Sequence, residues 1–167
     1  MKAARIQIFI SYSHYDRRFI AVDSAGRVPE LLRILMPLQE DGVALVWDDH
    51  LLAGDYIDQR IRRWLRTCHV LLALVSEDFL HSKYCTDIEV RTLLRRARQD
   101  RDVRIVPFYL SPCEWQRVPW LRKLKGLPSP SRTLTDTRGT ARRRALLDLR
   151  RHLRKTVQLL RSRADAK

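Results

Sequence analysis

A chain of 167 residues with 45% apolar side chains is long enough to bury a core and too apolar to stay disordered. Its 33 Lys and Arg against 19 Asp and Glu leave a net charge of +14, which favours anionic ligands or surfaces. No apolar run approaches the roughly 18 to 20 residues of a membrane span, and Met1 to Arg5 leads into a strand pattern without a signal-peptide core, so no membrane partner is expected. Three cysteines (Cys68, Cys85, Cys113) form no CxxC pair, which predicts reduced thiols and a cytoplasmic location. The five histidines have no metal-spaced partners, so no metal site is expected, and the absence of GxGxxG and GxxxxGK[ST] argues against a glycine-rich phosphate cradle.

In chain order, Ile6 to Ile10 reads as a first strand, followed by the polar turn Ser11-Tyr12-Ser13-His14-Tyr15-Asp16. Leu31, Leu32, Leu35 and Met36 form the apolar stripe of a helix that starts near Pro29 and ends at Asp41-Gly42. Val43 to Trp47 is a second strand and Asp48 to Asp55 a loop. A helix follows with Ile57, Ile61, Trp64 and Leu65 inward. The continuous apolar run His69 to Val75 is a strand covered on both faces. After Ser76 to Glu89 the period becomes helical, with Val90, Leu93, Leu94 and Ala97 on one face.

Arg104 to Leu110 is a fourth strand whose internal Pro107 suits a position where one ladder donor is not needed. Leu121 to Leu127 reads as a short helix and Thr133-Leu134-Thr135 as a short fifth strand. A last helix runs from about Thr140 with Leu146, Leu149, Leu153, Val157 and Leu160 on one side. Strand and helix alternate about five times, which predicts an α/β doubly wound sheet of about five parallel strands flanked by helices. One domain is expected over 1–167, its core at about 5–160 and its basic helix at about 140–163.

The segment Ser76 to Glu89 leaves the carboxyl end of a buried strand, where open α/β sheets place ligand sites. It carries two unlike carboxylates. Asp87 has Arg91 four residues on, an ordinary exposed pair. Glu89 has apolar neighbours at both i−4 and i+4 and no cation on its own helix, so it either meets a partner from another element or serves chemistry. Cys85 has no histidine placed beside it and reads as packing. Tyr84, Trp47 and Trp115 are candidate stacking rings as well as ordinary packing residues. Ser11, Tyr12 and Ser13 offer donors at the first strand's carboxyl end. Asp48 and Asp49 are ribose-binding candidates that equally suit bonding of their own loop.

Ile8-Phe9-Ile10-Ser11-Tyr12-Ser13-His14 with Asp16 and Phe19 resembles the first box of Toll/interleukin-1 receptor (TIR) domains. Trp47-Asp48-Asp49 with Leu52, Gly54 and Ile57 resembles that family's second strand and the loop behind it. Ser76-x-x-Phe79-x-x-Ser82-x-Tyr84-Cys85 resembles the third-strand exit, and Phe108 to Trp115 the fourth strand and its aromatic loop. The four motifs stand in order over nearly the whole chain, and Tyr84-Cys85-x-x-Ile88-Glu89 is similar to the prokaryotic branch.

The resemblance implies a flavodoxin-like fold and one of two activities: cleavage of the nicotinamide–ribose bond of NAD+ by one glutamate after the third strand, or assembly with other TIR domains without catalysis. Many members place the glutamate one residue earlier relative to the serine and aromatic, where this chain has Ile88; the role therefore falls on Glu89, with Asp87 second. NAD+ is then substrate and no cofactor is expected. Phe9, Ser11, Tyr12, Ser13, Trp47, Asp48, Ser82, Tyr84 and Trp115 make up the candidate NAD+ contacts. The loop Asp49, His50, Leu51, Leu52, Ala53, Gly54 and Asp55 is implied to complete the pocket of a neighbouring copy, a head-to-tail contact that builds filaments. The implied setting is anti-phage defence or induced cell death, with a sensor protein or a carboxyl-terminal sensor domain as partner. A third possibility, non-specific nucleic-acid binding, rests on the arginines of the last helix.

Overall fold

The computed structural model of the chain describes residues 5–48 and 57–166. Four strands form one parallel sheet among them: β1 (Gln7–Ser11), β2 (Ala44–Val46), β3 (Val70–Val75) and β4 (Arg104–Tyr109), in the order β2-β1-β3-β4. Every residue of β3 is fully buried, as its unbroken Val-Leu-Leu-Ala-Leu-Val sequence requires of a strand with helices on both faces. Alternation divides the core. Ile8, Ile10, Leu72, Leu74 and Phe108 face one layer, while Phe9, Leu71, Ala73, Val75 and Tyr109 face the other.

The first layer is closed by α1 (Glu30–Leu35), α2 (Pro37–Glu40) and the long α7 (Gly139–Asp165). The predicted stripe Leu146, Leu149, Leu153, Val157 and Leu160 is the buried side of α7. Arginines on its flank fasten it to the first helices. Arg142 pairs with Glu30 at 3.0 Å, Arg154 with Asp41 at 2.7 Å, and Arg150 and Arg161 donate to the carbonyls of Ile34 and Asp41. Those carbonyls lie at helix carboxyl ends, where cations are favoured. The second layer is closed by α3 (Ile57–Thr67) and α5 (Arg91–Gln99), joined where Arg96 donates to the carbonyls of Leu65 and Cys68 at 2.7 and 2.9 Å.

The expected fifth strand is corrected. Thr133 caps a 3-10 turn, Leu134–Asp136, in a reciprocal capping box with Asp136. The outer edge of β4 is instead met by Leu127, which exchanges backbone bonds with Pro107 and Tyr109 at 2.9 and 2.7 Å. For the same reason the expected helix Leu121 to Leu127 is shorter: α6 spans Pro119–Lys123, and the chain then extends toward that edge. Along β4, Arg104 and Leu110 donate inward to His69 and Val75, so odd-numbered amides face outward and Pro107 withholds a donor only at the edge. Met36 leaves its predicted stripe, 45% exposed, because Pro37 starts a new helix beside it.

Candidate active site

In this strand order the chain steps from β1 outward to β2, then returns across β1 to β3 and on to β4. Successive connections leave the β1–β3 boundary in opposite directions, which makes it the topological switch point, where open α/β sheets place their ligand sites. The candidate residues at the exits of β1 and β3 meet there.

Ser76 ends β3 in extended backbone and caps α4 (Glu77–His81), its Oγ accepting from the Phe79 amide at 3.0 Å. After Ser82 the helix does not resume as α-helix. Tyr84–Val90 is a π-helical turn, and only from Arg91 does α5 continue. A π-turn inserts one residue into a helix without disturbing the flanking turns, and such turns recur at functional sites. Ile88 stays partly buried on the second layer, while Glu89 reaches under the end of β1, only 4% exposed.

The Ser11 hydroxyl donates to Glu89 Oε2, a bond buried between elements 78 residues apart. Among the described residues no cation pairs with this carboxylate. Burial therefore dominates its chemistry and lifts its pKa to about 8, opposed by the Ser11 bond and reinforced by the charge of Asp48. A buried carboxyl group poised between protonated and ionised forms near neutral pH makes Glu89 a candidate functional residue.

Further contacts complete the site. The Tyr12 hydroxyl donates to Asp48 Oδ1, and His14 Nδ1 stands 3.8 Å from Asp48 Oδ2. The Cys85 thiol donates to the Tyr12 carbonyl at 3.4 Å, and the Cys85 amide donates to Ser82 Oγ at 3.3 Å. Burial pushes the Cys85 thiol up to about 12, with Glu89 adding to it, so Cys85 packs and does not act as a thiolate. Ser13 is buried beside them, its carbonyl accepting from the Asp16 amide at 2.8 Å.

Ser11, Tyr12, Asp48, Ser82 and Glu89 are thus brought together through these bonds. Phe9 is not: it is 1% exposed on the second layer, with its ring 5.7 Å from that of Trp64. Trp115 rests edge-on against Tyr109 at 6.2 Å in the same layer, and Trp47 is largely buried in the first. Asp87 is exposed and faces Arg91 at 3.9 Å, as its spacing predicts. The candidates Asp49 to Asp55 lie outside the described residues, as does the Tyr84 side chain.

The sequence reading passed over a second carboxylate–hydroxyl pair. The Ser76 hydroxyl donates to Asp16 Oδ2 at 2.5 Å, and burial raises the pKa of Asp16. The two pairs are reciprocal. Ser11 at the end of β1 holds a carboxylate that follows β3, and Ser76 at the end of β3 holds one that follows β1. The available signal was the placement of Ser76 directly after the buried β3 and of Asp16 in the polar turn that follows β1.

A parallel doubly wound domain with a buried carboxylate at its switch point defines the class. The TIR domain family model matches residues 8–149, and the chain belongs to that family. It is also 32% identical over 129 residues to the uncharacterized protein y4lF of Sinorhizobium fredii (strain NBRC 101917 / NGR234), a match covering 77% of this chain and 37% of that relative. The chain therefore aligns with only about a third of that longer protein.

Proposed function

We propose that this TIR domain hydrolyses or cyclises NAD+ by cleaving the nicotinamide–ribose bond, with Glu89 as its catalytic carboxylate. The observation that carries this reading is the burial of Glu89 at the switch point with a hydroxyl partner and no paired cation among the described residues. Nicotinamide in NAD+ is a cationic leaving group. It departs with the bonding electrons of the C1′–N bond as a neutral molecule and needs no general acid. What remains is an oxocarbenium-like ribose, which an ionised carboxylate in low-dielectric surroundings stabilises.

Glu89 rests largely protonated at neutral pH because burial opposes its charge. A positive nicotinamide ring placed beside it favours the ionised form, so substrate binding itself expels the proton and arms the carboxylate. Ser11 orients the group by its hydrogen bond, and Tyr12 and Asp48 stand at the same end of β1 to meet ribose hydroxyls.

The family's self-association extends the proposal: copies joined head to tail assemble the working pocket, so turnover per molecule rises with concentration. The decisive experiment compares NAD+ loss and nicotinamide release by concentrated wild type, Glu89→Gln and Asp87→Asn, with the fold of each verified by circular dichroism. Activity in wild type and Asp87→Asn alone supports the reading. Equal turnover in Glu89→Gln moves the role elsewhere, and silence of folded, artificially clustered wild type points to a non-enzymatic assembly module.

A further inference from the structure

The cations of α7 fall into two groups. Arg142, Arg150, Arg154 and Arg161 are committed to α1 and α2 through the bonds described above. Arg143, Arg144 and Lys155 stand exposed on the helix, and Lys125 stands exposed on the chain leaving α6; none of the four makes an ion pair or hydrogen bond among the described residues. Arg151 is exposed too, with one arm on Asp148 at 2.9 Å. These side chains line two adjoining clefts. One, of about 280 Å³, lies between Lys125 and the Arg151–Lys155 turn; the other, of about 190 Å³, lies between Arg143, Arg144 and Arg151. Arg151 lines both, so the two clefts adjoin and together form a basic groove along the helix face.

We propose that this groove binds the phosphate backbone of double-stranded nucleic acid without reading its sequence. Arg144, Arg151 and Lys155 recur at i, i+7 and i+11 on one side of α7, spanning about 16 Å at 1.5 Å per residue. That length corresponds to roughly five base-pair rises of 3.4 Å measured along a duplex axis. The unpaired Arg144 guanidinium and the free arm of Arg151 suit contact with phosphate oxygens, and Lys155 adds a point charge, while Asp148, which holds the other arm of Arg151, also lines the first cleft. No Phe, Tyr or Trp lines either cleft, and the His152 imidazole at the edge of the first is a small platform for unstacked bases, which favours a duplex over a single strand.

Other occupants fit less well. A membrane-surface helix needs an apolar face to bury in lipid, and the apolar face of α7 is committed to the core. An acidic protein partner would meet a surface without an aromatic anchor at its centre. The local potential is visible in His152, whose pKa is lowered by burial and further by Lys125 and Lys155. The groove lies on the sheet face closed by α7, while Glu89 belongs to the layer of α3 and α5, so duplex binding stands apart from the proposed chemistry.

The test is fluorescence anisotropy of a labelled duplex of arbitrary sequence over a salt series. Wild type is compared with Arg144→Gln/Arg151→Gln/Lys155→Gln and with the charge-matched control Arg62→Gln/Arg63→Gln/Arg66→Gln on α3, where all three arginines are exposed. The expected result is a log–log salt slope reduced by about 2 to 3 in the α7 triple, following the loss of three phosphate contacts, with the control near wild type. An equal loss in the control overturns the proposal in favour of net charge alone. Tighter binding of a single strand, of polyglutamate at equal charge, or of phosphatidylserine vesicles than of duplex would overturn it as well. Thermal melts of both triples secure the comparison against unfolding.

Discussion

Ser11 and Glu89 stand 78 residues apart in the chain and share one buried hydrogen bond that locks the end of β1 to the helix after β3. The bond lowers the pKa of a carboxyl group that burial raises to about 8. Removing it in Ser11→Ala therefore raises that pKa further and leaves one carboxyl oxygen without its partner. The pH profile of kcat/KM reports the free enzyme. On the proposed mechanism it climbs through a limb near 8 in wild type, and the limb moves upward in Ser11→Ala. The limb in kcat lies lower than that in kcat/KM, because bound NAD+ favours the ionised form. A wild-type profile flat from pH 6 to 9 would contradict an essential carboxylate with this environment.

The same shift makes stability depend on pH, independently of catalysis. In the unfolded chain Glu89 titrates near the ordinary value of 4.5, and in the folded chain near 8. Between these values the folded state holds a proton that the unfolded state has released, so the contribution of Glu89 to stability is full below about 4.5 and declines until about 8. Glu89→Gln keeps a group of similar shape that cannot ionise. Urea denaturation of both proteins at steps from pH 5 to 9 is expected to show the wild type losing stability relative to the variant as pH rises. A constant difference across that range would show that Glu89 is ionised in the folded state throughout.

Gly126 lies where the chain closes on the outer edge of β4. A Cβ at this position would come within 2.4 Å of the Tyr109 ring and 3.2 Å of Pro107. Tyr109 is almost fully buried and its ring also meets Trp115, so it has little room to yield. Gly126→Ala is expected to lose about 2 to 4 kcal/mol of stability, an overpacking penalty near the top of the usual range combined with damage to the Leu127 pairing. The comparison is chemical denaturation against wild type. A loss under about 0.5 kcal/mol, the ordinary range for surface changes, would mean that the edge segment is loosely held.

Hydrophobic periodicity was a sound guide wherever one face decides an element. It located β3 from its unbroken apolar run and the buried stripe of α7 residue by residue. It failed at Thr133 to Thr135, where β-branched residues suggested a strand. Threonine followed three residues later by Asp136 is also the pattern of a capping box, and local side-chain bonds prevailed over propensity. The site was legible in part. Isolation of Glu89 from cations on its own helix marked it as unusual, but its partner Ser11 comes from another strand and no local pattern announces it. The π-turn was not legible, since the regular stripe of Leu93, Leu94 and Ala97 lies beyond it and Val90 is its last residue.

The π-turn gives the last prediction. If Tyr84–Val90 is an α-helix widened by one inserted residue, removing one exposed residue before Glu89 returns the segment to α-helical register. Asp87 is the residue to delete, because its side chain is exposed and its pairing with Arg91 at 3.9 Å is the weak kind. Val90 and Leu93 remain anchored in the core and continue to set the direction of Glu89, which then sits one residue nearer Ser76 in sequence and still beneath Ser11. The deletion variant is expected to fold with a melting temperature within a few degrees of wild type and to retain NAD+ turnover within about tenfold, a barrier change under about 1.4 kcal/mol. Inserting an alanine between Asp87 and Ile88 adds a second residue that the turn has no means to absorb, turning Glu89 about 100° away from Ser11 or Val90 out of the core. Turnover in the insertion variant is expected to disappear. A deletion that unfolds the domain would show that the wide turn is required by the packing around Cys85 and Val90 and does not simply accommodate one extra residue.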